Sequence, residues 1–179
     1  GYSFVGWFTN EACSTSLTDD VDGSYSYKIT DLGAQGAEKT IYAKFQINKY
    51  TLTVKVYTSD AGTVTASKAG GSVTAVPPLN DSTYSVSVYY GQTASLTANA
   101  TSGYSFTAWY KAAEATGTAL TPANITTSAM TTSGLTYSVL FTANSYNLNT
   151  YAYTKVGSSN ATASTAGGTV SASTGGTYV

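Results

Sequence analysis

Apolar and polar residues alternate along several short stretches of the chain. Residues 50–57 carry a large apolar side chain at every second position, with Thr and Lys between them. The same period of two recurs in 41–47, 84–90 and 94–98, and Gly, Pro and Asp-Gly turn signals separate the stretches. Such alternation places one face of a β-strand in a core and the other in solvent. The pattern predicts an all-β fold of short strands, with a hairpin joining 84–90 to 94–98.

Composition supports strands and leaves the chain with little charge. The 179 residues include 23 Ser, 32 Thr and 16 Tyr, whereas charged residues make up 9%, against about 25% in an average soluble protein. β-branched and aromatic side chains suit a pleated, half-buried surface. We expect helix only at residues 122–130, where the Thr content limits it to a turn or two.

The chain repeats itself at a spacing of about 100 residues. Three matches occur in the same order, at offsets of 102, 96 and 97 residues: 1–8 with 103–110, 45–54 with 141–150, and 69–75 with 166–172. Offsets this similar indicate tandem repeats with small loop insertions. We predict that residues 1–49 are the C-terminal part of one repeat, 50–145 a complete repeat, and 146–179 the N-terminal part of a third. The chain is therefore expected to be an excerpt from a longer repetitive protein.

The joint between repeats contains no obvious flexible linker. No Gly or Pro occurs between residues 45 and 54, where the last strand of one repeat runs into the first strand of the next. A short polar joint is stiff compared with a Gly/Ser linker. We expect an extended rod with restricted bending at Asn48 and Asn144.

The order of short motifs within the repeat resembles a known family. "GGTV", "YGQTASLTA", "GYSFTAWY" and a closing strand that ends in Phe resemble the divergent internalin B-repeat, and "GYSFVGWF" through "TIYAKF" is similar to the Listeria and Bacteroides repeat. The resemblance implies a small β-rich module, often β-grasp-like with a short helical turn, found in tandem in surface proteins of bacteria and some archaea. It brings no catalytic residues. This unit is longer than the family's, with extra sequence around 76–82 and 113–121.

Charge and hydropathy argue against two classes of partner. The chain has no Arg, and its eight Lys and nine acidic residues give a net charge of −1, so we expect no basic surface for nucleic acid. No apolar run approaches the roughly 20 residues that span a bilayer, and no signal-peptide pattern is visible. The low-charge, hydroxyl-rich composition favours an extracellular or cell-surface location.

The sequence offers little catalytic chemistry. With no His and one Cys, it lacks the residues for histidine-based triads or a zinc site. Five carboxylates cluster in sequence: Asp19, Asp20, Asp22, Asp31 and Glu38. A carboxylate pair can hydrolyse glycosides, but we interpret the cluster as a solvated loop because the complete repeat has no equivalent. Asp19, Asp20 and Asp22 are calcium candidates beside a Gly turn, without EF-hand spacing. We expect no cofactor and no enzyme activity.

Aromatic residues and sequons complete the set of candidate sites. Trp7 and Trp109 occupy the same place in two repeats, and we expect them to anchor the cores together with Phe45 and Phe141. The alternative is that the two Trp residues stack on sugar rings. Asn-x-Ser/Thr sequons, which are glycosylation candidates, occur at Asn80, Asn99, Asn124 and Asn160.

The distribution of charge predicts self-association. The 98 residues after Asp81 contain only Lys111, Glu114 and Lys155 as charged residues. Such a surface repels its neighbours weakly, and edge strands offer unpaired backbone groups to another chain. We expect a structural or adhesive repeat region of an extracellular surface protein or filament, with other copies of the protein, glycans or a host or cell surface as partners. A carbohydrate-binding module is the alternative.

Overall fold

All regular secondary structure that can be described is β. The structure, a computed structural model, describes residues 1–17, 34–157, 162–164 and 168–169. Within these ranges it has thirteen strands and no helix, which confirms the all-β prediction. The strands are β1 (Tyr2–Phe8), β2 (Tyr42–Ile47), β3 (Lys49–Asp60), β4 (Thr63–Ala66), β5 (Gly71–Val76), β6 (Ser85–Tyr89), β7 (Ser95–Ala100), β8 (Tyr104–Tyr110), β9 (Ala119–Leu120), β10 (Asn124–Thr126), β11 (Leu135–Ala143), β12 (Tyr153–Thr154) and β13 (Thr162–Ala163).

The chain divides into two compact units, Gly1–Ala143 and Asn144–Val179. The first unit contains β1 to β11, and the second contains the short β12–β13 pair. The four Asp residues of the predicted carboxylate cluster and the sequon Asn160 lie outside the described residues.

A six-stranded sheet forms one layer of the first unit. Its order is β4-β3-β11-β8-β9, and β6 pairs with β3 beside β4. β3 and β11 run parallel, and the other pairs are antiparallel. The predicted alternation of β3 is confirmed, because Leu52, Val54 and Val56 are buried whereas Thr51 and Lys55 are exposed. This face of the sheet therefore lies against the core.

A three-stranded antiparallel sheet, ordered β10-β7-β5, supplies the opposite side of the core. Its buried residues include Val73 and Leu96, which join Trp109 and Phe141 of the larger sheet in one hydrophobic cluster. The layers approach closely at Gly71, where an added Cβ would lie 2.6 Å from Cζ of Phe141. A side chain does not fit there, so glycine lets the Phe141 ring lie against the backbone.

The predicted hairpin from 84–90 to 94–98 is wrong, although its alternation correctly predicts burial at every expected position except Tyr84, which is partly buried, and Tyr90, which is exposed. Val86 of β6 and Leu96 of β7 are both fully buried. β6 pairs with β3, however, whereas β7 pairs with β5 and β10. The connecting loop passes from one sheet to the other. The Gly91 N–H donates to the Met130 carbonyl at 2.7 Å, and the Met130 N–H donates to the Gln92 carbonyl at 2.9 Å.

The helical turn expected at residues 122–130 is also wrong. Asn124–Thr126 forms β10 and pairs antiparallel with β7. Ile125 packs against the core from this strand, and the hydroxyl of the buried Thr127 accepts a hydrogen bond from the Ala94 N–H at 2.9 Å. Strand pairing and this side-chain hydrogen bond replace the backbone hydrogen bonds of a helical turn.

Candidate functional site

The β1–β2 pair repeats the pairing of β8 with β11. Phe4 faces Phe45 in the first pair of strands, as Phe106 faces Phe141 in the second. Likewise, Trp7 faces Ala43 as Trp109 faces Val139. In both pairs the register skips one residue of the first strand, Val5 in β1 and Thr107 in β8. Such a β-bulge bends a strand at a defined position. The β1–β2 pair therefore has the same local register as the β8–β11 pair.

The β12–β13 pair likewise repeats the pairing of β3 with β4. Tyr57 faces Ala66 in β3 and β4, as Tyr153 faces Ala163 in β12 and β13. Likewise, Thr58 faces Thr65 as Thr154 faces Thr162. The Thr58 hydroxyl donates to the Ser67 carbonyl at 3.0 Å, and the Thr154 hydroxyl donates to the Ser164 carbonyl at 3.5 Å. The β12–β13 pair therefore has the same local register as two residue pairs of β3 and β4.

The two equivalent strands β11 and β2 differ in their neighbours. β11 lies between β8 and the parallel strand β3, and residues 137–141 are all buried. β2 pairs with β1, and among the described residues no strand pairs with its other edge. We call that edge, residues 41–46, the outer edge of β2. Ala43, Lys44 and Phe45 are all exposed there, so both faces of this strand reach solvent.

The four predicted aromatic anchors occupy different environments. Trp109 and Phe141 are fully buried, and the Trp109 Nε1–H donates to the Ala123 carbonyl at 3.0 Å. Trp7 is half-buried, with its ring 5.7 Å from that of Phe4 in an edge-to-face contact. Phe45 is 62% exposed and is not a core residue in this chain. Its equivalent Phe141 is buried because β3 and the second sheet cover it, whereas Phe45 lies on a two-stranded sheet.

Residues 146–152 align with 50–56 of β3 but keep only part of its apolar pattern, because Thr150 replaces Val54. Tyr50, Leu52, Val54 and Val56 of the complete repeat correspond to Tyr146, Leu148, Thr150 and Ala152 at an offset of 96 residues. Leu52 is fully buried, whereas Leu148 is 65% exposed. Residues 146–152 belong to no strand.

The sequons within the described residues lie on the surface. Asn80, Asn99 and Asn124 are exposed. Oδ1 of Asn80 accepts hydrogen bonds from the N–H groups of Ser82 and Thr83, both at 3.0 Å, which makes it part of a tight turn. Glycosylation of these residues stays a prediction.

The described residues contain no group of three or more His, Cys, Asp or Glu side chains placed to hold a metal ion. Glu38, the one described member of the carboxylate cluster, is exposed. The Asp19, Asp20 and Asp22 calcium candidates cannot be placed, because they lie outside the described residues. The described part of the chain has no helix with the length and hydrophobicity to cross a membrane.

Sequence reasoning missed the outer edge of β2, but the sequence contains a signal for it. Lys39 and Lys44 stand where β11 has Leu135 and Leu140, and Leu140 is buried. Two Lys residues in place of Leu indicate a strand with more access to water than its equivalent. Comparisons with protein-family models, with characterised proteins and with solved structures gave no match, so the resemblance to the internalin B-repeat stays a prediction.

Proposed function

We propose that this chain is part of a tandem array of β-rich repeats in an extracellular surface protein, related to the internalin B-repeats. The array acts as a structural and adhesive stalk or filament and associates with other copies of itself. The observation that carries the proposal is the recurrence of one strand pairing, with its β-bulge, in β1–β2 and β8–β11. Repeats that share such details stack into regular elongated arrays.

The composition of the surface supports a role outside the cell. Ser, Thr and Tyr supply hydroxyl groups in place of charge, and no charged residue other than Lys111, Glu114 and Lys155 follows Asp81. Hydroxyl and aromatic groups enter an interface at a lower desolvation cost than charged groups. Contact with copies of the same protein is therefore favoured over contact with nucleic acid.

The carbohydrate-binding alternative loses its main candidate residue. Sugar rings stack on exposed aromatic faces, but Trp109 is fully buried and its Nε1–H is hydrogen-bonded. Tyr2, Tyr50 and Tyr90 lie near one another, yet their rings meet edge to face, at interplanar angles of 62° and 64°. This arrangement is not the flat row of aromatic rings that such a site requires.

Labelling of producing cells tests the proposed location and role. Antibodies raised against residues 50–143 are expected to label intact, unpermeabilised cells, and surface proteolysis is expected to remove the signal. Labelling that appears only after permeabilisation would contradict the proposal. A glycan array probed with the same chain tests the alternative, for which we expect no binding.

A further inference from the structure

We infer that a gap in the six-stranded sheet binds the last residue of an extended peptide through its free C-terminal carboxylate. The inference goes beyond the proposed function and does not depend on it. β6 and β4 pair with the same edge of β3, β6 along residues 49–53 and β4 along residues 57–60. Residues 54–56 lie on that edge between the two strands, and we call them the β3 gap.

Two backbone groups of β3 face the β3 gap. The Val54 N–H donates to the Tyr84 carbonyl at 2.9 Å, and the Val56 carbonyl accepts from the Ser67 N–H at 3.1 Å. The N–H and C=O of one strand residue point to the same edge, so the Val54 carbonyl and the Val56 N–H also face the gap. Neither of these two groups forms a hydrogen bond with another described residue. The gap therefore offers one acceptor and one donor to a ligand.

These two groups are placed to pair with one residue of a parallel peptide. In a parallel ladder, a residue donates its N–H to the carbonyl before its opposite residue and accepts from the N–H after it. A peptide residue opposite Lys55 would donate to Val54 and accept from Val56. Tyr84 and Ser67 occupy the edge on either side, which leaves no room for a longer added strand. The residue that accepts from Val56 is therefore the last residue of its chain, and its acceptor is a carboxylate.

Positive charge lies at the end of the β3 gap where this carboxylate arrives. Lys68 follows Ser67 in the chain, and its Nζ lies 3.6 Å from the centre of the Tyr84 ring. Lys55 lines the same pocket. Within the described ranges, neither lysine forms an ion pair. Charge-assisted hydrogen bonds to a carboxylate are stronger than neutral ones, so these two ammonium groups favour an anionic chain end.

A pocket at the β3 gap has room for one side chain. Its volume is about 340 Å³, and it is lined by residues 54–57, residues 66–68 and Tyr84. This volume is at the small end of the range for ligand sites. Val54 and Val56 are buried, and Tyr84 packs against the core beside them. The wall between the two lysines is thus largely apolar, which suits a small apolar last residue such as valine.

Tyr84 is held in an uncommon backbone conformation beside the β3 gap. Its φ is 51°, in the left-handed region that bulky side chains rarely adopt. Its N–H donates to the Asn80 carbonyl at 2.7 Å, and its hydroxyl accepts from the Val73 N–H at 3.2 Å. Residues held in such conformations cluster at ligand sites, where the surrounding contacts fix them. The Tyr84 ring is therefore a fixed wall of the pocket.

NMR titration of the ¹⁵N-labelled 179-residue chain with short peptides tests the inference. The probe is acetyl-Ala-Ala-Val with a free carboxylate, and the matched controls are its C-terminal amide and its analogue with an N-methylated valine. The probe is expected to move the Val56 amide proton downfield in a saturable way. Each control should bind at least about fivefold more weakly, because one lacks the charge and the other lacks the N–H that donates to Val54.

A lysine substitution tests the charge on the protein side. Lys68→Gln should weaken binding of the probe at least about tenfold, because it removes an ammonium group beside the carboxylate. Lys68 is exposed, so the variant is expected to fold, and its amide spectrum shows whether it does. Lys111→Gln is the matched control, since it removes the same charge from an exposed position outside this pocket. It should bind the probe like the parent chain.

Three results would overturn the inference. The first is a Val56 amide that does not shift at probe concentrations up to about 20 mM. The second is equal affinity for the free carboxylate and the C-terminal amide, which would indicate apolar contact alone. The third is acetate that binds as tightly as the probe, which would indicate a simple anion site. None of these results affects the cell-surface labelling, so failure of this inference is distinguishable from failure of the proposed function.

Discussion

At the scale of single residues, the core of the complete repeat depends on hydroxyl groups as well as apolar side chains. Thr127 is buried, and its hydroxyl accepts the Ala94 N–H at 2.9 Å and donates to the Ser128 carbonyl at 3.1 Å. Thr58, also buried, accepts the Gly70 N–H at 3.0 Å. Buried backbone groups without a partner are costly. A Thr-rich composition therefore contributes to the stability of irregular segments as well as to strands.

Replacement of Thr127 by Val is expected to destabilise the fold. The substitution keeps the shape of the side chain but leaves the Ala94 N–H and the Ser128 carbonyl without this partner. We expect a loss of about 1–3 kcal/mol in the free energy of unfolding, measured by urea denaturation. Thr126→Val is the control, since Thr126 is exposed. Equal stability of the two variants would contradict this role of the hydroxyl.

At the scale of elements, the sequence predicts burial better than pairing. The alternation in 50–57 and 84–98 correctly predicts most of the side chains that enter the core, although Tyr90 is exposed. A period of two depends only on local backbone geometry. It does not predict that β6 and β7 belong to different sheets, because strand pairing depends on distant parts of the chain. One of these is Met130, whose backbone is hydrogen-bonded to the loop between β6 and β7. The sequence pattern did not predict β10 for the same reason. Its three residues are a strand only because β7 lies beside them.

The candidate site was predictable in part. The match between 1–8 and 103–110, and the first residues of the match between 45–54 and 141–150, correctly align strands that the structure pairs in the same register. The rest of the second match is not reproduced, because 49–54 lie in β3 whereas 146–150 belong to no strand. The two matches did not predict that Phe45 is exposed. The burial of a residue depends on the layers that cover it, and a motif within one strand carries no information about them.

Hydrogen exchange should separate the two equivalent strands. In β11 the backbone bonds to strands on both sides, whereas among the described residues β2 bonds to β1 alone. Under conditions that keep the chain monomeric, we expect amides of β11 to exchange only through global unfolding and amides of β2 to exchange through local opening, at least about tenfold faster. Equal protection of β2 and β11 in the monomer would contradict the difference in their neighbours.

At the scale of the whole molecule, the joint at Asn48 connects the β1–β2 pair to the six-stranded sheet within the first unit. The Asn48 N–H donates to the Gly1 carbonyl and its carbonyl accepts from the Tyr90 N–H, both at 2.9 Å, while its Oδ1 accepts from the Ser3 hydroxyl at 2.6 Å. The Tyr2 and Tyr90 rings are in edge-to-face contact at 6.5 Å. Asn48 therefore connects β2 to β3 and is hydrogen-bonded both to β1 and its preceding residue and to the residue that follows β6.

Bending at this joint should therefore be restricted, and pulsed electron–electron resonance measures it. Spin labels at Thr9→Cys and Ser72→Cys, two exposed positions, in a Cys13→Ser background should give a narrow distance distribution in dilute solution. Insertion of Gly-Ser-Gly after Asn48 should broaden it, because the inserted residues separate the hydrogen-bonded groups and behave as a flexible chain. The same insertion after Gly117, in an exposed loop, should leave the distribution narrow. A distribution that is already broad without any insertion would show that the contacts at Asn48 do not fix the angle, and a stiff array of repeats would then need another source of rigidity.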